Sequence, residues 1–141
     1  MNDQPYDPLA AEKPSGMQQS LGYRIVEWRE DYSRVEQPIH PGIGNRHGIP
    51  HGGAIATVID VAAGHAGTYS PMPGQRLMAM TLSLNINYVA QTNGKLLIAE
   101  GRRTGGGKRI YYSEVRVTDD NGALIATGQA VMRYRSDSVA S

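Results

Sequence analysis

One uninterrupted apolar segment, from Ala54 to His65, most constrains how this chain can fold. It contains no proline, and its only polar residues are Thr57, Asp60 and His65, so the pattern favours one long helix. A helix that is apolar on nearly every side must be enclosed by other elements, because its surface would otherwise contact water. We therefore predict a domain built around this helix.

Strand patterns lie on both sides of the helical segment. Two short strands are predicted between Gly22 and Ile39, and strict alternation of apolar and polar residues predicts another from Leu77 to Tyr88. Turn signals rich in glycine separate three more strands, at Leu96 to Thr104, Arg109 to Thr118 and Ala123 to Tyr134. The pattern indicates an α+β domain in which a curved antiparallel sheet wraps around one long central helix.

The alternating strand is expected to have one buried and one polar face. Alternation would place its large apolar side chains on the buried face, namely Met80, Leu82, Leu84, Ile86 and Tyr88. Thr81 would then point to the opposite face.

Length and composition limit the function classes. The 141 residues fit one domain, and a net charge of +1 gives no field for non-specific binding to nucleic acid or an anionic membrane. The absence of cysteine excludes disulfides, Cys-zinc sites and thiol nucleophiles. The first twenty residues lack the pattern of a signal peptide or membrane anchor, so we expect a cytoplasmic protein. We expect a loosely attached, flexible arm with one short turn (1–20), a folded domain (21–135) and a disordered tail (136–141).

Asp60 is the first candidate for chemistry, because a carboxylate within an apolar helix is costly unless a structural partner or a reaction justifies it. His51-Gly52-Gly53 precedes it where the helix should begin, and unpaired N–H groups there can hold a carbonyl oxygen that gains negative charge. The two glycines either admit a ligand or only form the corner into the helix. Asn45, in the preceding loop, can orient a water molecule or a substrate group, or can be a turn residue.

Together, Asn45, the His51-Gly52-Gly53 sequence and Asp60 resemble the hotdog-fold acyl-coenzyme A (acyl-CoA) thioesterases of the phenylacetic-acid-degradation, or PaaI-like, type. In that family an Asn, an HGG loop and an acidic residue nine positions after the His recur in this order. The alternating strand and the order of predicted elements also match. The resemblance covers about residues 22–134.

The resemblance implies an enzyme that hydrolyses the thioester of an acyl-CoA to a free acid and CoA. Asp60 would act as general base or nucleophile, and the Gly53 N–H would polarise the thioester carbonyl. Asn45 would position the carbonyl or the attacking water. Thr81 matches a Ser or Thr position that helps to orient the water in some relatives.

The resemblance also assigns supporting residues. His51 and Gly52 would belong to the substrate-binding loop, and no cofactor is implied, because CoA is part of the substrate. In the family, the hairpin that carries Arg103, Lys108 and Arg109 lies near the nucleotide end of CoA, where cations bind phosphates. A solvated charged hairpin is the alternative for these residues.

Helix geometry predicts a homodimer. Seven residues separate Gly53 from Asp60, a rise of about 10 Å, whereas a reacting carboxylate must come within about 3 Å of its target. We therefore expect active sites shared between two chains related by a two-fold axis, as in the resembled family, and the arrangement allows further pairing into a tetramer.

Three alternatives stay open. Asp60 and His65 have the spacing of the acidic residue and His in hotdog-fold enoyl-CoA hydratases, but on one helix they point about 140° apart. The domain could also bind acyl-CoA without catalysis. His47 and His51 have the spacing of a helical zinc pair, but Gly48 and Pro50 disfavour a helix there, so we predict no metal site.

Overall fold

The computed structural model describes residues 5–138, which form one six-stranded antiparallel sheet, three α-helices and one short 3₁₀ helix, Pro41–Ile43. The helices are the short α1 (Pro8–Ala11) and α2 (Gly16–Leu21) and the long α3 (Gly52–Ala66). The strands are β1 (Arg24–Arg29), β2 (Tyr32–Pro38), β3 (Ala79–Tyr88), β4 (Leu96–Gly106), β5 (Ile110–Asp119) and β6 (Leu124–Tyr134). The predicted α+β hotdog architecture, a curved antiparallel sheet around a central helix, is confirmed.

The strand order is β1-β2-β4-β5-β6-β3, so the predicted meander of the last three strands forms the middle of the sheet. β3 precedes that meander in the chain but pairs with β6, and it is one edge of the sheet. The glycine turn is shorter than predicted, because β4 continues to Gly106 past a bulge between Arg103 and Gly105. No helix within residues 5–138 is both long and apolar enough to cross a membrane.

Glycines in the sheet set the distance between α3 and the strands. A Cβ atom at Gly101 of β4 would overlap the carbonyl oxygen of Ala62, and one at Gly128 of β6 would lie 2.6 Å from Cγ2 of Ile59. The side of α3 that faces the sheet consists of small and branched buried residues, namely Ala54, Ile55, Val58, Ile59, Ala62, Ala63 and Ala66. The helix therefore packs closely against the sheet.

Side chains from four strands bind the carbonyl groups at the C-terminal end of α3. The donors and their acceptors are Ser33 Oγ to Ala62 O, Ser113 Oγ to Ala63 O, Tyr111 OH to Gly64 O, Trp28 Nε1 to His65 O and Tyr134 OH to Gly67 O, at 2.6 to 2.8 Å. The last carbonyls of a helix have no partner within it. The sheet supplies partners for the last-turn carbonyls of Ala63, Gly64 and His65 here, which offsets the cost of burying this end of the helix.

The side of α3 that faces away from the sheet is open. Its residues are partly exposed and lie three or four positions apart, namely Ala56, Thr57, Asp60, Val61 and Gly64. Within a single chain, the sheet encloses α3 on one side and the other side is open. The prediction that α3 is enclosed on nearly every side therefore holds only for the side that faces the sheet.

A β-bulge corrects the predicted alternation of β3. Thr81 pairs with Met132 and Ser83 pairs with Val131, so Leu82 is an extra residue. Because paired residues share a face, Thr81 lies on the helix side with the buried Met132 and not on the opposite face. Met80 and Leu82 are exposed, whereas the sequence pattern placed them on the buried face.

The N-terminal segment also differs from the expectation. Residues 5–21 form two helices instead of one short turn, and Pro8 is buried. The Glu12 carboxylate lies 3.1 Å from Nε2 of His65 in α3. Gln37 Nε2 donates a 2.7 Å hydrogen bond to Leu21 O. The described part of this segment therefore contacts the rest of the domain at specific positions.

The C-terminal segment is ordered as far as it is described. Ser138 Oγ accepts from the N–H of Met78 and donates to its carbonyl oxygen, at 2.9 and 3.1 Å. Arg135 and Asp137 form a bidentate ion pair at 2.8 Å. Residues 139–141 of the expected tail lie outside the described residues.

Close packing at Gly101 predicts a specific loss of stability. Gly101→Ala would place a methyl group against the backbone of α3, which cannot shift cheaply, so we expect the free energy of unfolding to fall by about 1–3 kcal/mol in urea denaturation. Gly105→Ala, four residues along the same strand and with open space at its Cβ, is the matched control and should change it by less than about 0.5 kcal/mol. Equal effects of the two substitutions would contradict this account of helix packing.

Candidate active site

The N-terminus of α3 has one N–H group paired and one free. His51 is the N-cap residue, and its Nδ1 accepts a 2.8 Å hydrogen bond from the N–H of Gly53. The Gly53 N–H, which the resemblance assigned to the thioester carbonyl, is therefore already used within the chain. No acceptor lies within hydrogen-bonding distance of the Gly52 N–H among residues 5–138. Tyr88, which the sequence did not single out for this role, donates from its hydroxyl to Gly52 O at 2.7 Å.

Asn45 was expected either to be a turn residue or to orient a water molecule or a substrate group, and its side chain can do both. Its side-chain Oδ1 accepts from the N–H groups of His47 and Ile49, at 2.9 and 3.3 Å, so it stabilises the loop. Its Nδ2 remains a donor without a protein acceptor within the described chain. Asn45 and Gly52 both line a cavity of about 280 Å³, which also contains Tyr88.

Asp60 lies near the middle of α3, on the open side of the helix. Its Oδ1 accepts a 2.5 Å hydrogen bond from Thr81 Oγ1, because the bulge in β3 turns Thr81 toward the helix. Its Oδ2 has no donor partner within residues 5–138. Asp60 and Thr81 border a second cavity, of about 690 Å³, that extends along the C-terminal half of α3. Thr81 therefore fixes the orientation of the carboxylate through Oδ1, while Oδ2 remains available to a water molecule or a substrate.

The structure thus forms two groups of the predicted site residues. Asn45 lies with the His51-Gly52-Gly53 sequence, and Asp60 lies with Thr81, but the cavities that the two groups border share no residue. The eight residues from Gly52 to Asp60 correspond to a rise of about 12 Å along the helix. The single chain does not bring the N–H donor and the carboxylate together.

The predicted cations separate as well. Lys108 and Arg109 line a third cavity, of about 720 Å³, together with Arg133 at the end of β6 and Arg135 just after it, which the sequence did not indicate. Pairing of Ile110 with Arg133 brings these segments together, and only the strand register shows it. Arg103 is not part of this cavity: its guanidinium donates to Gly107 O at 3.4 Å and lies 5.8 Å from the centre of the Tyr111 ring.

The hydratase-like pair is not arranged for joint proton transfer. Asp60 and His65 border the same cavity, but both ring nitrogens of His65 are engaged, with Val61 O at 2.9 Å and with Glu12 at 3.1 Å. The loop histidines His47 and His51 belong to no group of three or more side chains that could hold a metal ion, and no such group occurs in the part of the chain that the structure describes.

Comparisons with known proteins agree with this geometry. A family model described as the Thioesterase superfamily matches residues 47–126, which is more than half of the chain and includes α3. A protein of Archaeoglobus fulgidus with a provisional esterase name is 28% identical over 116 residues, which cover 82% of this chain and 71% of that protein.

Two solved structures show the same fold. PaaI of E. coli, from the phenylacetic acid degradation operon, superposes with a TM-score of 0.77 at 16% identity, over 88% of this chain and 87% of that one. The BH2602 protein of Bacillus halodurans, solved with CoA, superposes with a TM-score of 0.66 at 32% identity, over 72% and 66% of the two chains. The resemblance to the hotdog thioesterases is confirmed, and the chain belongs to the Thioesterase superfamily.

Proposed function

We propose that the protein is an acyl-CoA thioesterase, which hydrolyses an acyl-CoA to a free acid and CoA. The observation that carries the proposal is the Asp60 carboxylate, which is held by Thr81, has one free oxygen and borders a cavity with room for an acyl group. Membership in the thioesterase family supports thioester hydrolysis in general. The CoA in the BH2602 structure supports the choice of substrate.

Asp60 can act by two routes. As a general base, it takes a proton from a water molecule while the water oxygen attacks the thioester carbon. The C–S bond then breaks, and Asp60 returns the proton to the leaving thiolate. As a nucleophile, its free oxygen attacks the same carbon, the C–S bond breaks with release of the CoA thiolate, and water then hydrolyses the resulting anhydride. A single turnover in ¹⁸O-labelled water that leaves label in the Asp60 carboxylate identifies the nucleophilic route, because that label enters only when water attacks the Asp60 carboxyl carbon of the anhydride.

The Gly52 N–H is the donor that we assign to the thioester carbonyl, in place of the Gly53 N–H. It lies at the first helical position, it has no acceptor within residues 5–138, and Tyr88 fixes the carbonyl of the same residue. Asn45 Nδ2 borders the same cavity and is a second donor for the carbonyl or for the water. Two fixed donors stabilise the oxyanion of the tetrahedral intermediate.

The separation of the two groups supports a shared site. We propose a homodimer in which Gly52 and Asn45 of one chain face the Asp60 of the other. The open side of α3 and the edge strand β3 are the surfaces that such a dimer would cover. The exposed apolar residues on and next to this strand fit that role, namely Met80, Leu82, Tyr88 and Val89.

The cavity between the β4–β5 turn and the end of β6 is our candidate for the CoA phosphates. Lys108, Arg109 and Arg133 give it positive charge, while Arg135 is paired with Asp137. Several cations around one cavity favour phosphate binding. Arg103, by contrast, supports the hairpin through its bond to Gly107 O.

The proposal is tested by release of free thiol from a panel of acyl-CoA substrates. The wild-type protein should hydrolyse at least one of them, and Asp60→Asn should lower kcat by about 100-fold or more, because the base or nucleophile is lost. Asp31→Asn, at an exposed turn that borders none of the described cavities, is the control and should keep full activity. Tight binding of acyl-CoA without hydrolysis by the wild type would instead indicate a non-catalytic binding module.

The assignment of Gly52 predicts opposite results for two substitutions at one position. Gly52→Pro removes the N–H, and proline is tolerated at the first helical position after the extended backbone of His51, so the fold should persist. We expect kcat to fall by about 100-fold, the usual effect of losing one oxyanion donor. Gly52→Ala keeps the N–H and should stay active. Full activity of the proline variant, with a circular dichroism spectrum like that of wild type, would return the role to Gly53.

The shared site predicts complementation between two inactive variants. When Asn45→Ala and Asp60→Ala chains are refolded together in equal amounts, about half of the dimers are mixed, and one of the two sites in each mixed dimer is intact. About a quarter of the wild-type rate of thioester hydrolysis should therefore return. If each site were built within one chain, every site would carry a substitution, and the mixture would be no more active than its parents.

A further inference from the structure

The cavity beside Asp60 has a wall that comes from the N-terminal segment. It extends from Asp60 and Thr81 past Gly64 and His65 of α3, and residues 74–79 line another part of it. The N-terminal lining residues are Tyr6, Pro8, Ala11, Glu12 and Lys13. We call residues 5–13 the N-terminal wall. Asp60 is the first residue of α3 that lines this cavity, so an acyl group whose thioester lies at Asp60 has space to extend along α3 toward the wall.

The dimensions and the lining fit an acyl group. A volume of about 690 Å³ lies within the usual range of small-molecule pockets. Trp28, Leu77 and Met132 provide apolar surface, and Gly64 leaves the α3 side of the cavity without a side chain. The position of the N-terminal wall therefore determines how much of this volume an acyl chain can use.

One ion pair joins the wall to α3. His65 Nε2 lies 3.1 Å from Glu12 Oε1, and His65 Nδ1 lies 2.9 Å from Val61 O. The hydrogen bond with His65 holds the pKa of the Glu12 carboxyl below its usual range. The Glu12–His65 pair therefore ties the end of the wall to the helix that carries Asp60.

We propose that the N-terminal wall sets the size of the acyl group that the site accepts, and that the Glu12–His65 pair holds the wall in place. The inference rests on the proposed thioesterase function and deepens it. Glu12 and His65 are positioning residues, because neither needs to touch the thioester. The other charged groups that border the cavity are Lys13, Asp60, Arg76 and Arg135, of which Arg76 also attracts the Glu12 carboxylate.

The experiment compares two tryptophan substitutions in α1. Ala11→Trp places a large side chain at a position that lines the cavity, whereas Ala10→Trp adds the same side chain at an exposed position that does not. The readout is the ratio of kcat/KM for a long acyl-CoA to that for acetyl-CoA. Ala11→Trp should lower this ratio by about tenfold or more, since excluding even one methylene changes discrimination by about that factor. Ala10→Trp should leave it unchanged.

Loss of the ion pair should act in the opposite direction. Glu12→Ala frees the wall and should raise the same ratio, while Glu27→Ala, which breaks an exposed pair with Arg29 remote from the cavity, should not. A ratio of two substrates cancels effects of a substitution on the shared chemical step.

The outcomes separate the two proposals. If the wild type hydrolyses no acyl-CoA, the proposed function fails and this inference fails with it. If the wild type is active but both Ala11→Trp and Glu12→Ala show the wild-type ratio, only the inference about the wall is overturned. A reduced ratio for Ala11→Trp with normal activity on acetyl-CoA also excludes misfolding as its cause.

Discussion

The arrangement of the fold depends on how the sheet binds the buried C-terminal end of α3. Hydroxyl groups and one indole N–H from four strands donate to successive carbonyl groups there. Burial raises the pKa of Tyr111 and of Tyr134, so their hydroxyls stay protonated and remain donors. Five bonds to one helix end fix both its rotation and its axial position. The orientation of Asp60, two residues before the first of these carbonyls, follows from them.

Periodic patterns predicted the framework, and non-local contacts decided the rest. The apolar run from Ala54 to His65 and the alternating strands were sufficient for the helix, the meander and the fold class. The bulge at Leu82 was not predictable, because Leu82 fits the alternating pattern and only pairing with β6 shows that it is an extra residue. The N-terminal segment looked detached because its composition lacks core residues. Its attachment comes from His65, far along the chain.

At the candidate site, too, the sequence identified the residues but not the contacts that their polar atoms make. The sequence identified His51-Gly52-Gly53 as the start of a helix, and the helix does start there. Which of its N–H groups is free depends on the rotamer of His51, whose Nδ1 accepts the hydrogen bond from the Gly53 N–H. Similarly, Thr81 was assigned to the water, but its hydroxyl donates to Asp60. Residue types and spacing indicate which groups belong to a site, whereas side-chain conformations decide which of them are already satisfied.

The polar groups at the two ends of α3 differ in how completely they are hydrogen-bonded, and this difference affects the electric field of the helix. The peptide dipoles of a helix sum to a partial positive charge at the N-terminus and a partial negative charge at the C-terminus. Here the negative end is neutralised by donors from the sheet, while at the positive end Gly52 keeps a free N–H beside an open cavity. The uncompensated part of the helix field therefore points at the cavity next to Gly52. Negative charge that develops there is stabilised by the backbone of the central helix itself, without any cationic side chain.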